Sequence, residues 1–142
     1  MIEGVILEKK KIIETDGGSV FKGIKDQKGL IKEVYFSTIS KDTVRAWKKH
    51  TLMTLNLLVP IGSVKFILVD DREKSKSYRN FQEIVLSSEQ YFLLKVPPGI
   101  WFGMRGLSEG ISLICNTANF FHDESEVVRL EYKKLPARYR KL

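Results

Sequence analysis

The sequence predicts an all-β fold of the sandwich, barrel or jelly-roll type. Three observations lead there. Apolar residues rarely recur at helical spacing, short β-rich runs recur about every ten residues, and turn-forming residues punctuate them. Such a series of short strands is what a two-sheet or closed β architecture requires.

The first run, residues 5–13, begins with Val5-Ile6-Leu7 and ends at Ile12-Ile13. Asp16-Gly17-Gly18 then supplies a tight turn before the run 20–24. Runs 31–39, 43–47 and 54–59 follow, and Pro60-Ile61-Gly62 reads as the next turn. In the run 63–70, Val64, Phe66 and Leu68 share one face and Lys65 and Ile67 the other. That is the pattern of a half-buried strand with its second face at a cavity or an interface. Asp71 to Arg79 is a polar excursion that reads as a long hairpin loop, held by Asp70-Asp71-Arg72. Runs 82–86, 91–96, 101–105 and 112–117 complete the series, with Pro97-Pro98-Gly99 and Glu109-Gly110 as turns. From His122 the pattern loosens, and 124–132 reads as a short helix or an irregular tail. No repeat, low-complexity segment or composition shift divides the chain, so residues 1–142 are expected to form a single domain.

Composition narrows the function. The chain has 142 residues, 43% of them hydrophobic and 29% charged, as in an ordinary globular protein. A net charge of +7 favours anionic partners, although much of it lies near the two ends, in Lys9-Lys10-Lys11 and in Lys133, Lys134, Arg138, Arg140 and Lys141. Neither a recognition helix nor a strand face of interleaved basic and aromatic residues is evident, so nucleic acid is not an expected partner. The longest apolar stretch, Leu55 to Ile61, is too short to span a bilayer, and no membrane partner is expected. The start lacks a basic region followed by a long apolar run, and Cys115 is the one cysteine. A cytoplasmic location is the expectation.

Two segments carry the chemistry: Arg45-Ala46-Trp47-Lys48-Lys49-His50 and Val96-Pro97-Pro98-Gly99-Ile100-Trp101-Phe102-Gly103. Together they form a basic, aromatic set almost without metal ligands. No metal or other cofactor is expected, because a protonated lysine is a poor ligand and one histidine cannot make a zinc or iron site. Arg45 suits a diphosphate clamp, since a guanidinium fork matches phosphate bidentately. Lys48 and Lys49 alternate faces on a strand; parity with His50 turns Lys48 inward, as a base or a cation that stabilises developing negative charge. His50 is the second candidate for the base, and Glu33 a reserve. Tyr35 and Trp101 are candidates to stack on a base or sugar. Arg105 would add a second positive charge to the pocket. Asn116 and Asn119 interrupt the last strand as polar cavity lining. Asn56, alone in the apolar run from Leu52 to Val59, either satisfies backbone groups or faces the ligand. Cys115, beside Leu113-Ile114, reads as a buried inert thiol.

A family resemblance rests on ordered segments: Glu33-Val34-Tyr35-Phe36-Ser37, Val44-Arg45-Ala46-Trp47 with His50, Gly62, and Val69-Asp70-Asp71-Arg72. It continues through Glu83-Ile84-Val85-Leu86-Ser87, the Pro-Pro-Gly segment, Leu107-Ser108 and Asn119-Phe120-Phe121-His122-Asp123. On these the chain resembles the dTDP-4-dehydrorhamnose 3,5-epimerase family of cupin jelly rolls, over roughly residues 5 to 130. The resemblance implies a cupin-type double-stranded β-helix, a sugar-nucleotide substrate and a homodimer. It also implies proton abstraction beside the keto group of a 4-keto-6-deoxy sugar. Where that family has its base histidine, this chain has Lys48. Phe102 replaces the histidine after Pro-Pro-Gly, Cys115 stands at the acid tyrosine, and Leu55 or Asn56 at the enolate lysine. The related nucleotide-sugar 3,4-ketoisomerases carry two histidines one residue apart; Lys48 and His50 match that spacing with the second retained. Ketoisomerase and non-catalytic sugar-nucleotide binder are therefore the alternatives to epimerase.

Overall fold

The structure, a computed structural model, describes residues 1–26 and 28–142. Its strands are β1 (Ile6–Lys9), β2 (Ile12–Thr15), β3 (Gly18–Phe21), β4 (Glu33–Ser40), β5 (Val44–His50) and β6 (Leu55–Ile61). They continue as β7 (Ser63–Asp70), β8 (Phe81–Ser87), β9 (Phe92–Val96), β10 (Ile100–Gly106), β11 (Ile111–Ala118) and β12 (Val127–Arg129). Two five-stranded antiparallel sheets face each other, in the orders β1-β9-β6-β11-β4 and β12-β5-β10-β7-β8. The fold is all-β, as the strand spacing requires. The inner faces interdigitate through Leu57, Val59, Phe66, Leu68, Leu86 and Leu94, all nearly solvent-free. Burial of these side chains supplies the main driving force for closing the sandwich.

Four details depart from the sequence reading. The run 5–13 is two strands: β1 joins β9, while β2 leaves at Lys10-Lys11 and pairs with β3. That β2–β3 hairpin lies over the outside of the first sheet, where Ile12, Phe21 and Ile24 cover Leu58, Tyr91, Leu93 and Cys115. Burial pushes the Cys115 thiol above its ordinary pKa. Second, Pro60 belongs to β6 rather than to a turn. The β6–β11 register shifts between Leu113 and Cys115, and Pro60 sits in that irregularity, where its missing N–H breaks no regular ladder. The turn falls instead on Gly62, at φ 79° and packed so closely on Ser112 that no Cβ would fit.

Third, β7 is buried on both faces. Ile67 and Val69 pack beneath the C-terminal segment in a second cluster with Trp47, Trp101 and Tyr139. Fourth, the tail is neither a regular helix nor structureless. A short 3₁₀ turn, Glu124–Glu126, leads into β12, which pairs antiparallel with Lys48, Lys49 and His50. Three residues are too few to show alternation, so Val127-Val128-Arg129 could not announce itself.

The loop after β7 is anchored as expected, and its centre is Asp70. This carboxylate is 1% exposed and accepts from Arg72 Nε at 2.8 Å, Ser77 Oγ at 2.6 Å and Ser75 Oγ at 2.7 Å. Arg72 also donates to the Glu3 carbonyl at 2.6 Å, tying the N-terminal segment to the loop. Burial alone would raise the Asp70 pKa, but Arg72 and the two serines outweigh it and hold the carboxyl far below its usual range. A carboxyl lowered in the folded state stabilises the fold above its unfolded pKa of about 4 and ceases to do so on acidification. Asp70→Asn is expected to lose about 2 kcal/mol or more at neutral pH, and to lose less than the wild type on further acidification; urea unfolding at pH 7 and pH 4 checks both.

Candidate functional site

Between the sheets, at the end where β4 and β11 face β5, β10 and β12, lies a cavity of about 810 Å³. Its walls divide by chemistry. Leu55, Leu57, Phe102, Met104 and Ile114 form the apolar part, whereas Arg45, Lys48 and Arg129 form an exposed cationic rim. Between rim and floor stand His50, Tyr35 and Asn116.

The rim depends on a bulge. In strict alternation, Arg45 and Lys48 would point to opposite faces of β5. The register with β10 shifts, however: Lys48 pairs with Phe102 and Arg45 with Met104, so Ala46 and Trp47 together oppose Gly103. The bulge brings Arg45, Lys48 and His50 to one cavity. Glycine is needed at 103 because a Cβ there would meet Ala46 Cβ at 2.8 Å and Trp47 at 3.1 Å. Lys49 takes the outer face, paired with Asp71 and lying over the Trp101 ring.

Neither Arg45 nor Lys48 has a carboxylate in ion-pair range among the described residues, while Arg129 pairs with Glu124. The surroundings of Lys48 hold its ammonium below the ordinary lysine pKa, first by burial and then through Arg129 and Arg45. Cations crowded in this way gain from an anion brought among them.

His50 is 7% exposed and its ring lies parallel to Phe102, at 5.9 Å between centroids. Its Nδ1 meets Glu126 Oε1, and Glu126 is itself only 3% exposed. The second carboxylate oxygen accepts the backbone N–H groups of Thr51 at 3.0 Å, Leu52 at 2.9 Å and Met53 at 3.2 Å. Burial would raise the Glu126 pKa; His50 and the backbone donors outweigh it and hold the carboxyl ionised. An ionised carboxylate only accepts, so the Nδ1 that meets it carries a hydrogen and Nε2 is the ring nitrogen turned away from Glu126. This is the arrangement of a histidine oriented to take a proton.

Of the residues singled out in the sequence, Arg45, Lys48, His50, Tyr35 and Asn116 line this cavity, as does the reserve acid Glu33. Four do not: for Trp101, Arg105 and Asn119 the expected place at the cavity is corrected, and for Asn56 the backbone alternative holds. Trp101 alternates with Phe102 and lies on the far side of β10, 7% exposed, in the cluster with Trp47 and Tyr139. Arg105 shares that outer parity and pairs with Asp42 at the surface. Asn56 sits between the inward Leu55 and Leu57; its Nδ2 donates to the Thr117 carbonyl at 2.7 Å, so it satisfies backbone. Asn119 caps the Thr54 N–H at 2.7 Å and does not line the cavity.

Sequence reading missed Glu126 and Arg129, and it gave no role to His122, which also lines the cavity. The signal for Glu126 was indirect. A histidine next to an apolar run needs a buried partner, but the partner lies 76 residues away, in a segment without visible periodicity. Among the described residues, no group of three or more His, Cys, Asp or Glu gathers where it could hold a metal ion. Among the described residues, no helix is long and apolar enough to cross a membrane.

With this geometry in view, comparison with known proteins gives a consistent result. The structure of a dTDP sugar isomerase from Desulfovibrio desulfuricans G20 superposes with a TM-score of 0.88 at 29% identity, covering 99% of this chain and 90% of that one. A dTDP-4-dehydrorhamnose 3,5-epimerase from Sulfolobus tokodaii superposes with a TM-score of 0.82 at 19% identity, over 94% of this chain and 81% of that one, a likeness of fold. In sequence, a probable low-salt glycan biosynthesis epimerase of Haloferax volcanii is 25% identical over 117 residues, 80% of this chain and 75% of the relative. No protein-family model matches. The chain resembles the dTDP-4-dehydrorhamnose 3,5-epimerase family and shares its cupin jelly roll.

The carboxylate beneath His50 gives a stability test. Glu126→Ala removes the partner of His50 and leaves the Thr51, Leu52 and Met53 N–H groups without their acceptor. The expected loss is about 3 kcal/mol in denaturant unfolding, with Glu126→Gln losing less because one amide oxygen still accepts. Since the Glu126 carboxyl is held low, its contribution is present at neutral pH and declines as pH falls below about 4. The gap between wild type and Glu126→Gln should therefore narrow in acid.

Proposed function

We propose that this protein is a nucleotide-sugar-modifying enzyme that epimerises a 4-keto-6-deoxy sugar nucleotide beside its keto group, without a metal, as its resemblance to the 3,5-epimerases implies. One observation carries the reading: a buried His50–Glu126 pair stands beneath a cationic rim in which, among the described residues, Arg45 and Lys48 have no carboxylate in ion-pair range. The rim suits a diphosphate, because guanidinium forks engage phosphate oxygens in pairs and Lys48 adds a point charge. A sugar entering below the rim meets Phe102, Met104 and Leu57, which keep water from the reacting carbon.

In this mechanism His50 Nε2 takes the proton from the carbon next to the carbonyl. The electron pair moves onto the keto oxygen, where the positive charge of Lys48 favours the enolate. Glu126 holds the ring in the required tautomer and stabilises the imidazolium that forms. Lys48 takes the position of the family's base histidine, and His50, two residues on, takes over its task. That same spacing favours a second reading, a 3,4-ketoisomerase with the second histidine of its pair retained. Proton removal beside the carbonyl begins both reactions, and the position of the product's keto group separates them.

The reading extends to the whole chain as one domain, cytoplasmic and homodimeric. Support for the dimer comes from the outer face of the first sheet, beside the β2–β3 hairpin. There the edge strand β4 exposes Val34 and Phe36, with Ile61 and Ile111 on the same face, an apolar strip suited to a second copy. Phe36→Lys is expected to shift the sedimenting species from dimer to monomer; a wild type that sediments as a monomer refutes the dimer.

The catalytic reading is tested with dTDP-4-keto-6-deoxyglucose in deuterated buffer. Wild-type protein should exchange the protons beside the keto group, as followed by NMR. His50→Ala should slow exchange by about 10²–10⁴-fold. Arg45→Ala should act chiefly by raising KM. Tight binding of the sugar nucleotide with no exchange would show a binder instead of an enzyme.

A further inference from the structure

The turn before β12 carries two acids with opposite destinations. Glu126 is turned inward to His50, whereas Glu124 is exposed and grips Arg129 at the rim of the cavity. Both terminal guanidinium nitrogens are taken: Nη1 meets Oε2, and Nη2 donates to Oε1 at 3.0 Å. The same Oε1 stands 2.9 Å from His122 Nε2. Arg129 and His122 line the cavity, and Glu124 itself does not. A carboxylate of the chain thus occupies the two-point fork that a phosphate would use.

The rim gives this carboxylate a task. Arg129 and Lys48 are direct partners in the β12–β5 register, and like charges placed opposite one another repel. Burial and Arg129 both press on the Lys48 ammonium, and Glu124 acts in the other direction. Arg129 in turn holds the Glu124 carboxyl down to about 2, so it is a full anion at neutral pH. Its backbone is fixed from both sides. Asp123 caps the turn through the Ser125 N–H at 2.8 Å, and Glu126 locks the far end beneath His50. The Glu124 side chain is 59% exposed, so rotation about its own bonds is enough to take it off Arg129.

From this geometry we infer that Glu124 is a built-in stand-in for the ligand's phosphate, which holds Arg129 and yields it to the diphosphate of the sugar nucleotide. The inference rests on the diphosphate reading of the rim given above. An incoming anion has to displace a tethered carboxylate, whose effective concentration at Arg129 is on the order of millimolar. Inorganic phosphate has only the rim to bind and meets that competition unaided. A sugar nucleotide also buries its sugar against the apolar walls, which offsets the displacement. Once displaced, Glu124 keeps His122 as its partner. Glu124 therefore sets how much more than a phosphate a ligand must offer. It is a specificity-determining residue that touches no reacting atom.

The test is calorimetric titration with dTDP at low ionic strength, alone and against inorganic phosphate. Glu124→Gln keeps the size of the side chain and removes its charge. It is expected to tighten dTDP about fivefold and to make phosphate compete at about fivefold lower concentration. In the Arg129→Ala background the same change is expected to alter dTDP affinity by less than about twofold, because the fork that Glu124 occupied is gone. Glu131→Gln removes another cavity-lining carboxylate, one with no ion pair among the described residues, and measures the general effect of one charge. A gain that persists without Arg129, or that Glu131→Gln matches, overturns the inference, since the field alone would then explain it. Unchanged or weaker dTDP binding by Glu124→Gln also overturns it; the weaker result makes Glu124 a positioning residue for Arg129. A wild type that binds no dTDP defeats the diphosphate reading itself, and this inference with it.

Discussion

The Glu126 carboxylate under His50 is the interaction on which the functional end of this molecule depends. One oxygen meets the imidazole; the other gathers three successive backbone N–H groups at the corner between β5 and β6. It thereby fixes where the C-terminal segment crosses the second sheet and lets β12 take its place beside β5. A buried charge is tolerated only when nearly all of its hydrogen-bonding capacity is used. That requirement makes the corner a single unit: the histidine, the turn and the tail hold one another in place.

The bulge at Gly103 does for the rim what Glu126 does for the interior. A regular β5–β10 pairing would give the cavity either Arg45 or Lys48. Two residues set against one glycine give it both. The room left by the missing Cβ is filled from the outside by Trp47 and Leu142, so the C-terminal segment closes over the back of the same bulge. Local backbone irregularity and long-range packing thus serve one end, a cluster of positive charge above an apolar chamber. Charge that lies at a mouth stays hydrated until an anion arrives, whereas polar contacts made against the apolar walls beneath are stronger for the lower local dielectric.

This division of labour brings polar groups from several strands to one chamber. The His50 imidazole lines it from β5 and the Tyr35 phenol from β4, beside β11. A double-stranded sandwich presents many inward positions around one cavity, so a group's function can move between adjacent positions while the chamber stays the same. What must be kept is the direction from which each group reaches the substrate.

Much of the architecture was legible in the residues alone. The recurrence of short β-rich runs fixed the all-β class, and the inner-face pattern of Val64, Phe66 and Leu68 placed the core. Arg45, Lys48 and His50 were identifiable as cavity residues because they cluster within one strand. Where the reading failed, each failure had a long-range cause. Trp101 and Arg105 face outward because alternation was anchored by Phe102 and Met104, a register that only pairing with β7 and β5 determines. Asn56 turned out to serve the backbone of a strand distant in sequence. Composition, turn chemistry and alternation are local quantities, and the sequence by itself determined the fold class and the basic, aromatic character of the segment from Arg45 to His50. Only the tertiary structure decided which face each strand turns inward, that Glu126 and Arg129 join the cavity, and that Tyr35 stands across from His50. Those depend on contacts between segments far apart in the chain, whose energy exists only once the two sheets have closed.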